Sequence, residues 1–270
     1  MLTARIVVAL AVCELLVGAA PVAAQSTGTT PDRPFLFSVS TPRTDTPHTS
    51  IHVETGFGEH PFDLTEGDRP EQRVAVQASI GHRITLLGRV GVVSNQSSAW
   101  TSQQGEILYN VLQSPARRAS VAAGIGIRHE PQGVNVLLGR VAAGRTFSAW
   151  RVDGNALFEK PLSIERDAVD LITTLGVARR LMRAVHVGVE MIGEDLEGFW
   201  DHNEAEGGAR LLVGPSIRLA PRSAKWQVGA AGGPMVHATR STVVSEATRS
   251  LPVAGGKDGY GVRVSLSYAF

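Results

Sequence analysis

Cysteine is nearly missing. The chain has one, Cys13, and it sits in the N-terminal apolar run. Downstream of it there can be no disulfide framework, no cysteine-based metal site and no thiol nucleophile. An excess of either charge is also missing. Twenty-six Lys and Arg against 25 Asp and Glu leave a net charge of +1, so nothing favours nucleic acid as a partner. A long apolar run is missing too. The stretch from Ile6 to Ala19 is broken by Glu14 and falls short of the about 20 residues of a spanning helix. There is no phosphate-binding glycine loop, no zinc signature and no nucleotide motif. No cofactor is expected.

What is present suits a folded, turn-rich β protein. Apolar residues make up 43%, with 29 Gly and 14 Pro. The first segment reads as a secretory signal. Arg5 gives the positive start, the apolar run follows, and Val22-Ala23-Ala24 before Gln25 supplies small residues for cleavage. Lipidation at Cys13 is the competing idea, weakened by the larger Val12 and by the run continuing past it. Residues 1–24 are therefore expected to be removed. Residues 25–48, rich in Ser, Thr, Pro and Asp, read as a flexible arm. Residues 49–270 read as one β domain.

That domain alternates apolar and polar residues, which gives a strand two chemically different faces. Tyr260, Val262, Val264, Leu266, Tyr268 and Phe270 share one face of the last segment; Gly261, Arg263, Ser265, Ser267 and Ala269 share the other. The same pattern predicts about twelve strands, at 49–57, 71–82, 84–94, 104–113, 117–128, 133–146, 148–158, 168–179, 182–192, 207–219, 223–237 and 259–270. Two places fit poorly. In strand 6, Leu137 and Val141 oppose Val136 and Leu138. Pro215 and Pro234 fall inside strands, and Gly232-Gly233-Pro234 reads as a bulge or as the end of strand 11.

Alternation alone leaves a soluble sandwich or a lipocalin-like barrel open. Three further features favour a membrane barrel. Short turns alternate with long loops, the exception being the short connection near Pro131. The aromatics fall at strand ends: Phe147, Trp150, Trp226, Tyr268 and Phe270 at one rim, Phe57, Phe158 and Tyr260 at the other, with Tyr109 nearer mid-strand. The polar face carries both signs of charge, in Glu54, Arg73, Arg89, Glu106, Arg128, Arg151, Asp153, Asp170, Glu190, Arg210, Arg218 and Arg263. These are expected to line a lumen, because an Arg facing lipid at mid-depth costs about 2–4 kcal/mol. Small residues on that face, among them Gly188, Gly214 and Gly229, favour open space inside.

The C-terminal stretch Val262-Arg263-Val264-Ser265-Leu266-Ser267-Tyr268-Ala269-Phe270 resembles the terminal strand of bacterial outer-membrane β-barrel proteins. The resemblance implies export to the outer membrane and reading of this strand, through its terminal aromatic, by the barrel-assembly machinery. It implies an all-β, antiparallel up-and-down transmembrane barrel with short periplasmic turns and long outer loops. Residues 25–48 would then be a periplasmic arm, and the partners would be outer-membrane lipid and small solutes.

Some barrels of this kind are enzymes. Ser94-Asn95 lies at the outer end of strand 3, but Val92 stands where a His would be needed for a His-x-Ser-Asn arrangement. His52, His186 and His237 face inward by parity, without a paired carboxylate at the rim. The acidic stretch from Glu194 to Glu206, with Phe199-Trp200 inside it, lacks the ordered spacing of a calcium loop. No catalytic or metal residues are assigned. The expected function is a small passive channel with a charged lumen. The alternative is a structural or surface-interaction barrel with a plugged lumen. A lipid-modifying enzyme and a soluble exported β protein rank below both.

Overall fold

The computed structural model describes residues 33–40, 47–59, 71–81, 83–94, 99–114, 118–130, 133–162, 169–200, 209–221, 224–237 and 258–270. The expected signal segment lies outside these residues. Twelve strands run in chain order: β1 (His48–Glu59), β2 (Glu71–Gly81), β3 (Ile84–Ser94), β4 (Ala99–Ser114), β5 (Ala119–His129), β6 (Asn135–Phe147), β7 (Trp150–Pro161), β8 (Asp170–Arg180), β9 (Val185–Glu194), β10 (Arg210–Leu219), β11 (Trp226–His237) and β12 (Gly259–Ala269). Each pairs antiparallel with its sequence neighbours, and β1 pairs with β12, so the sheet closes on itself. Closure removes both edges, so the strands' backbone groups find partners along the wall; the β10–β11 ladder is interrupted between Leu212↔Met235 and Ser216↔Ala231.

The strands hold 10 to 16 residues. At about 3.3 Å per residue and a tilt near 40°, the shorter ones cover the roughly 25 Å apolar band of such barrels. One rim carries only short connections, none longer than 220–225; the other carries the long ones, but also the short 130–134 and, against the sequence expectation of a long loop from Asn95 to Gln104, the short 95–98, because β4 starts early. Arg83, Arg118 and Ser148, at the tight turns, adopt positive φ of 66°, 48° and 54°. The first described residues of β1 and the C-terminal Phe270 meet at this short-turn rim, where the Phe270 amide donates to the Thr49 carbonyl at 3.0 Å.

The alternation of the sequence maps onto the barrel wall. Ile107, Ile125, Val189, Ile217 and Leu266 point outward and are exposed, while Glu54, Glu106, Asp153 and Glu190 are buried between them in sequence. The apolar side is the outside, the reverse of a soluble barrel.

Three details differ from the sequence expectation. β4 begins at Ala99 rather than near 104, because the polar stretch Thr101–Gln103 pairs in unbroken register with β3 up to Ser94↔Ala99. Such a stretch has no apolar alternation to announce it; the ladder supplies its order. β11 neither bulges nor ends at Gly232-Gly233-Pro234, since its register with β12 is constant from Trp226↔Tyr268 to Met235↔Gly259. β6 resolves its mixed parity by turning Val136, Leu138 and Arg140 inward and Leu137 and Val141 outward. The inward pair packs with Leu157, Val134 and Ile172 into a small apolar cluster on the lumen wall beside the long-loop rim.

Candidate functional site: the lumen

Directly opposed residues on antiparallel strands share a face, so register places each charged residue. Arg73 opposes Glu54 and Gly91, and Arg89 opposes buried Ala75. Asp170 opposes buried Glu159, and Arg151 opposes buried Ala178. Arg210 opposes Glu194, and Arg218 opposes Gly229. Register and burial put these residues, with Glu54, Glu106, Arg128, Asp153, Glu190 and Arg263, on the inward side of the wall, at three depths.

Beside the long-loop rim, Arg128 makes a two-pronged contact with Glu159, both distances 2.5 Å, and a 2.8 Å bond to Glu130. Glu71 pairs with Arg73 there, and Glu194 with Arg210. At mid-depth, Arg140 reaches across from β6 to both oxygens of Glu106, at 2.7 and 2.8 Å. Arg263 stands 3.8 Å from Glu54. Nearer the short-turn rim, Arg151 grips Asp153 at 2.9 Å. At each of these depths the wall carries ion pairs, while Glu190 is met by backbone amides instead. The sequence left Glu71, Glu130, Arg140, Glu159 and Glu194 out of the lumen set. Arg140 was hidden by the mixed parity of β6; Glu71, Glu130 and Glu194 lie at or just past strand ends, and Glu159, which shares the polar parity of Arg151 and Asp153, lies one residue beyond the expected end of strand 7 at 158.

The eight aromatics expected in two girdles all point outward and are partly exposed: Phe147, Trp150, Trp226, Tyr268 and Phe270 at the short-turn rim, Phe57, Phe158 and Tyr260 at the other. Tyr268 and Phe270 meet edge to face at 5.3 Å, and the Arg179 guanidinium covers the Trp150 ring at 5.6 Å. Tyr109 also faces out.

The lumen is not empty. Residues 33–40, taken from the sequence as part of a flexible periplasmic arm, lie inside the barrel, and Phe35 is wholly buried. The segment makes main-chain hydrogen bonds to wall side chains. Glu190 accepts from the Leu36 and Phe37 amides at 2.7 and 3.0 Å. The Asn155 amide accepts from the Val39 N–H at 2.8 Å and donates to the Val39 carbonyl at 3.0 Å. Gln77 donates to the Ser40 carbonyl at 2.9 Å and Gln227 to the Arg33 carbonyl at 2.7 Å. Side chains add to this. Arg33 pairs with Glu54, the Ser40 hydroxyl donates to Asp153 at 2.6 Å, and the Arg263 guanidinium lies 5.1 Å from the Phe37 ring centre. Nothing in the composition of 25–48 separates a docked segment from a free one; its partners are distant in sequence, on strands from β1 to β12.

His52 is buried between two hydroxyls, Ser50 Oγ at 3.0 Å from Nε2 and Ser267 Oγ at 2.7 Å from Nδ1. Among the described residues no carboxylate hydrogen-bonds to that ring, so the constellation of a hydrolytic triad is not assembled there. Among the described residues no group of three potential ligands could hold a metal. Of the acidic stretch, Glu194 to Trp200 is described, and residues 201–206 lie outside the described set. Asp195 opens a short 3-10 helix (Leu196–Phe199) with φ 47° and accepts the Leu171 amide at 3.2 Å. Its burial, with Glu194 close by, pushes its carboxyl up to about 6.

No protein-family model matches the chain, and no curated protein matches it in sequence. Solved structures do match in shape. A NanC porin superposes with a TM-score of 0.54 at 9% identity, over 81% of this chain and 98% of its own. A KdgM porin solved in complex with disordered oligogalacturonate gives 0.52 at 11% identity, over 82% and 99%. A second KdgM porin structure gives 0.52 at 10% identity. At such identities the likeness speaks for the fold. By fold, this chain is a closed, antiparallel, twelve-stranded β-barrel, similar in shape to these porins.

Proposed function

We propose that this chain is an outer-membrane channel, a small passive pore for hydrophilic solutes with a charged lumen. One observation carries the reading: the wall is apolar outside and lined inside by ion pairs and amides, an arrangement that is stable only with lipid around it and polar contents within. The porin-like fold and the two outward aromatic girdles support it. Twelve strands enclose more width than the eight of a side-chain-filled barrel and less than the 16–18 of open porins.

Residues 33–40 favour a second reading, a structural or surface-interaction barrel whose lumen is permanently filled. Purified full-length protein in a planar bilayer separates the two. The channel reading expects discrete conductance steps, however infrequent. Silence in the intact protein and after removal of residues 26–40 alike would leave the structural reading.

A further inference from the structure

Residues 33–40 lie across the lumen rather than along one side of it. In a ring of twelve strands, strands six apart face each other. Arg33 is tied to Glu54 on β1. Val39 is tied to Asn155 on β7, the opposite strand. Ser40 alone is tied to Gln77 on β2 and to Asp153 on β7. The wall contacts are of two kinds. Those to Glu190, Asn155, Gln77 and Gln227 read the peptide backbone, whatever the side chain. Two glycines on the wall make room for particular side chains. A Cβ at Gly176 would stand 2.3 Å from the Phe35 ring, and one at Gly229 would stand 2.9 Å from Leu36. Both side chains are nonpolar and buried amid a polar wall, in clefts that only glycine leaves open. The smallness of these lumen positions therefore fits an occupant rather than free bore.

We infer that the lumen wall is a binding site for an extended peptide segment, and that residues 33–40 of the same chain occupy it and close the channel. The inference rests on the channel reading above. Main-chain recognition by fixed amides and a carboxylate is the chemistry by which proteins hold an extended peptide. Here the ligand is tethered, so its effective concentration is high and the closed state prevails. Opening requires the segment to leave the wall.

Two measurements on the full-length protein test this. The first is a cysteine pair, Ser38→Cys with Thr174→Cys, placed where the two hydroxyls stand 2.9 Å apart. With Cys13 the only native cysteine, an oxidised pair should form in high yield in the folded barrel, and conductance should stay low until a reductant is added. The second compares conductance of the intact protein, of a variant lacking residues 26–40, and of Gly176→Leu, whose side chain claims the place of the Phe35 ring. Both variants should raise open probability at least tenfold, and a synthetic peptide of residues 33–40 should block the deletion variant. No cross-link, together with equal conductance of the intact and deleted forms, overturns the inference. Cross-linking in high yield with no conductance from any variant leaves the docked segment in place and sinks the channel reading instead.

Discussion

The lumen is held together by residues that would be ruinous elsewhere. Arg128 is the clearest case. It sits between Glu159 and Glu130, all three side chains nearly buried, and its two-pronged contact with Glu159 is the geometry only a guanidinium provides. Removing it leaves two carboxylates facing each other without a cation. Breaking a buried pair costs about 3–5 kcal/mol in a dry interior. Here the site lies beside a rim where water re-solvates a freed carboxylate, so Arg128→Met is expected to cost about 2–4 kcal/mol. Glu130→Gln, which leaves the Glu159 pair whole, should cost under about 1 kcal/mol. Urea unfolding of the protein in lipid vesicles gives both numbers, and equal effects of the two substitutions would mean that the pairing is ornamental. These charges were legible in the sequence wherever strand parity was clean. Arg140 was not, because Val136 and Leu138 occupy the same inward face and make β6 look apolar on both sides. That face is apolar there because the small cluster with Leu157 packs against the inner wall, and a packing choice of this kind leaves no periodic trace.

At the scale of the strand, period two carried nearly all the information. A one-residue slip would send a strand's inward arginines to the lipid side, so the pattern must be kept, and it can be read. Strand ends were less clear: β4 runs on into a polar stretch ordered only by its neighbour β3. The segment 33–40 was not legible as a docked element. It forms no strand, and its hydrogen bonds go to side chains from six strands that no local pattern links to it. β12 carries a testable consequence. Phe270 ends the chain, packs on Tyr268 and is tied to Thr49 across the β1–β12 seam. As an interfacial anchor it contributes on the order of 1–3 kcal/mol, too little to decide whether a barrel of twelve paired strands exists. If its terminal ring is also read during assembly, as the resemblance implies, Phe270→Ala should lower the yield of assembled protein several-fold while the assembled fraction unfolds within about 1–3 kcal/mol of normal. Truncating an equal length near Thr29 should leave the yield unchanged. Equal yields for the two would remove the assembly role.

The molecule as a whole is inside out by the standards of a soluble protein. Its buried set is rich in Glu, Arg, Asn, Gln and Ser, and its exposed set in Ile, Leu, Val and aromatics. In water such an outer surface is an aggregation hazard far beyond the few hundred Å² of apolar patch a monomer tolerates; in a bilayer it is the solvent match that holds the barrel in place. Passage through the lumen and closure by residues 33–40 both require that placement. The most direct test is to express the chain in a Gram-negative cell, separate soluble, inner-membrane and outer-membrane fractions, and run the outer-membrane fraction on a denaturing gel with and without boiling. The protein should be recovered in the outer membrane, and its band should shift between the unboiled and boiled lanes, because the closed barrel resists detergent until heated. Recovery as a soluble periplasmic protein, with one band position in both lanes, would contradict that placement.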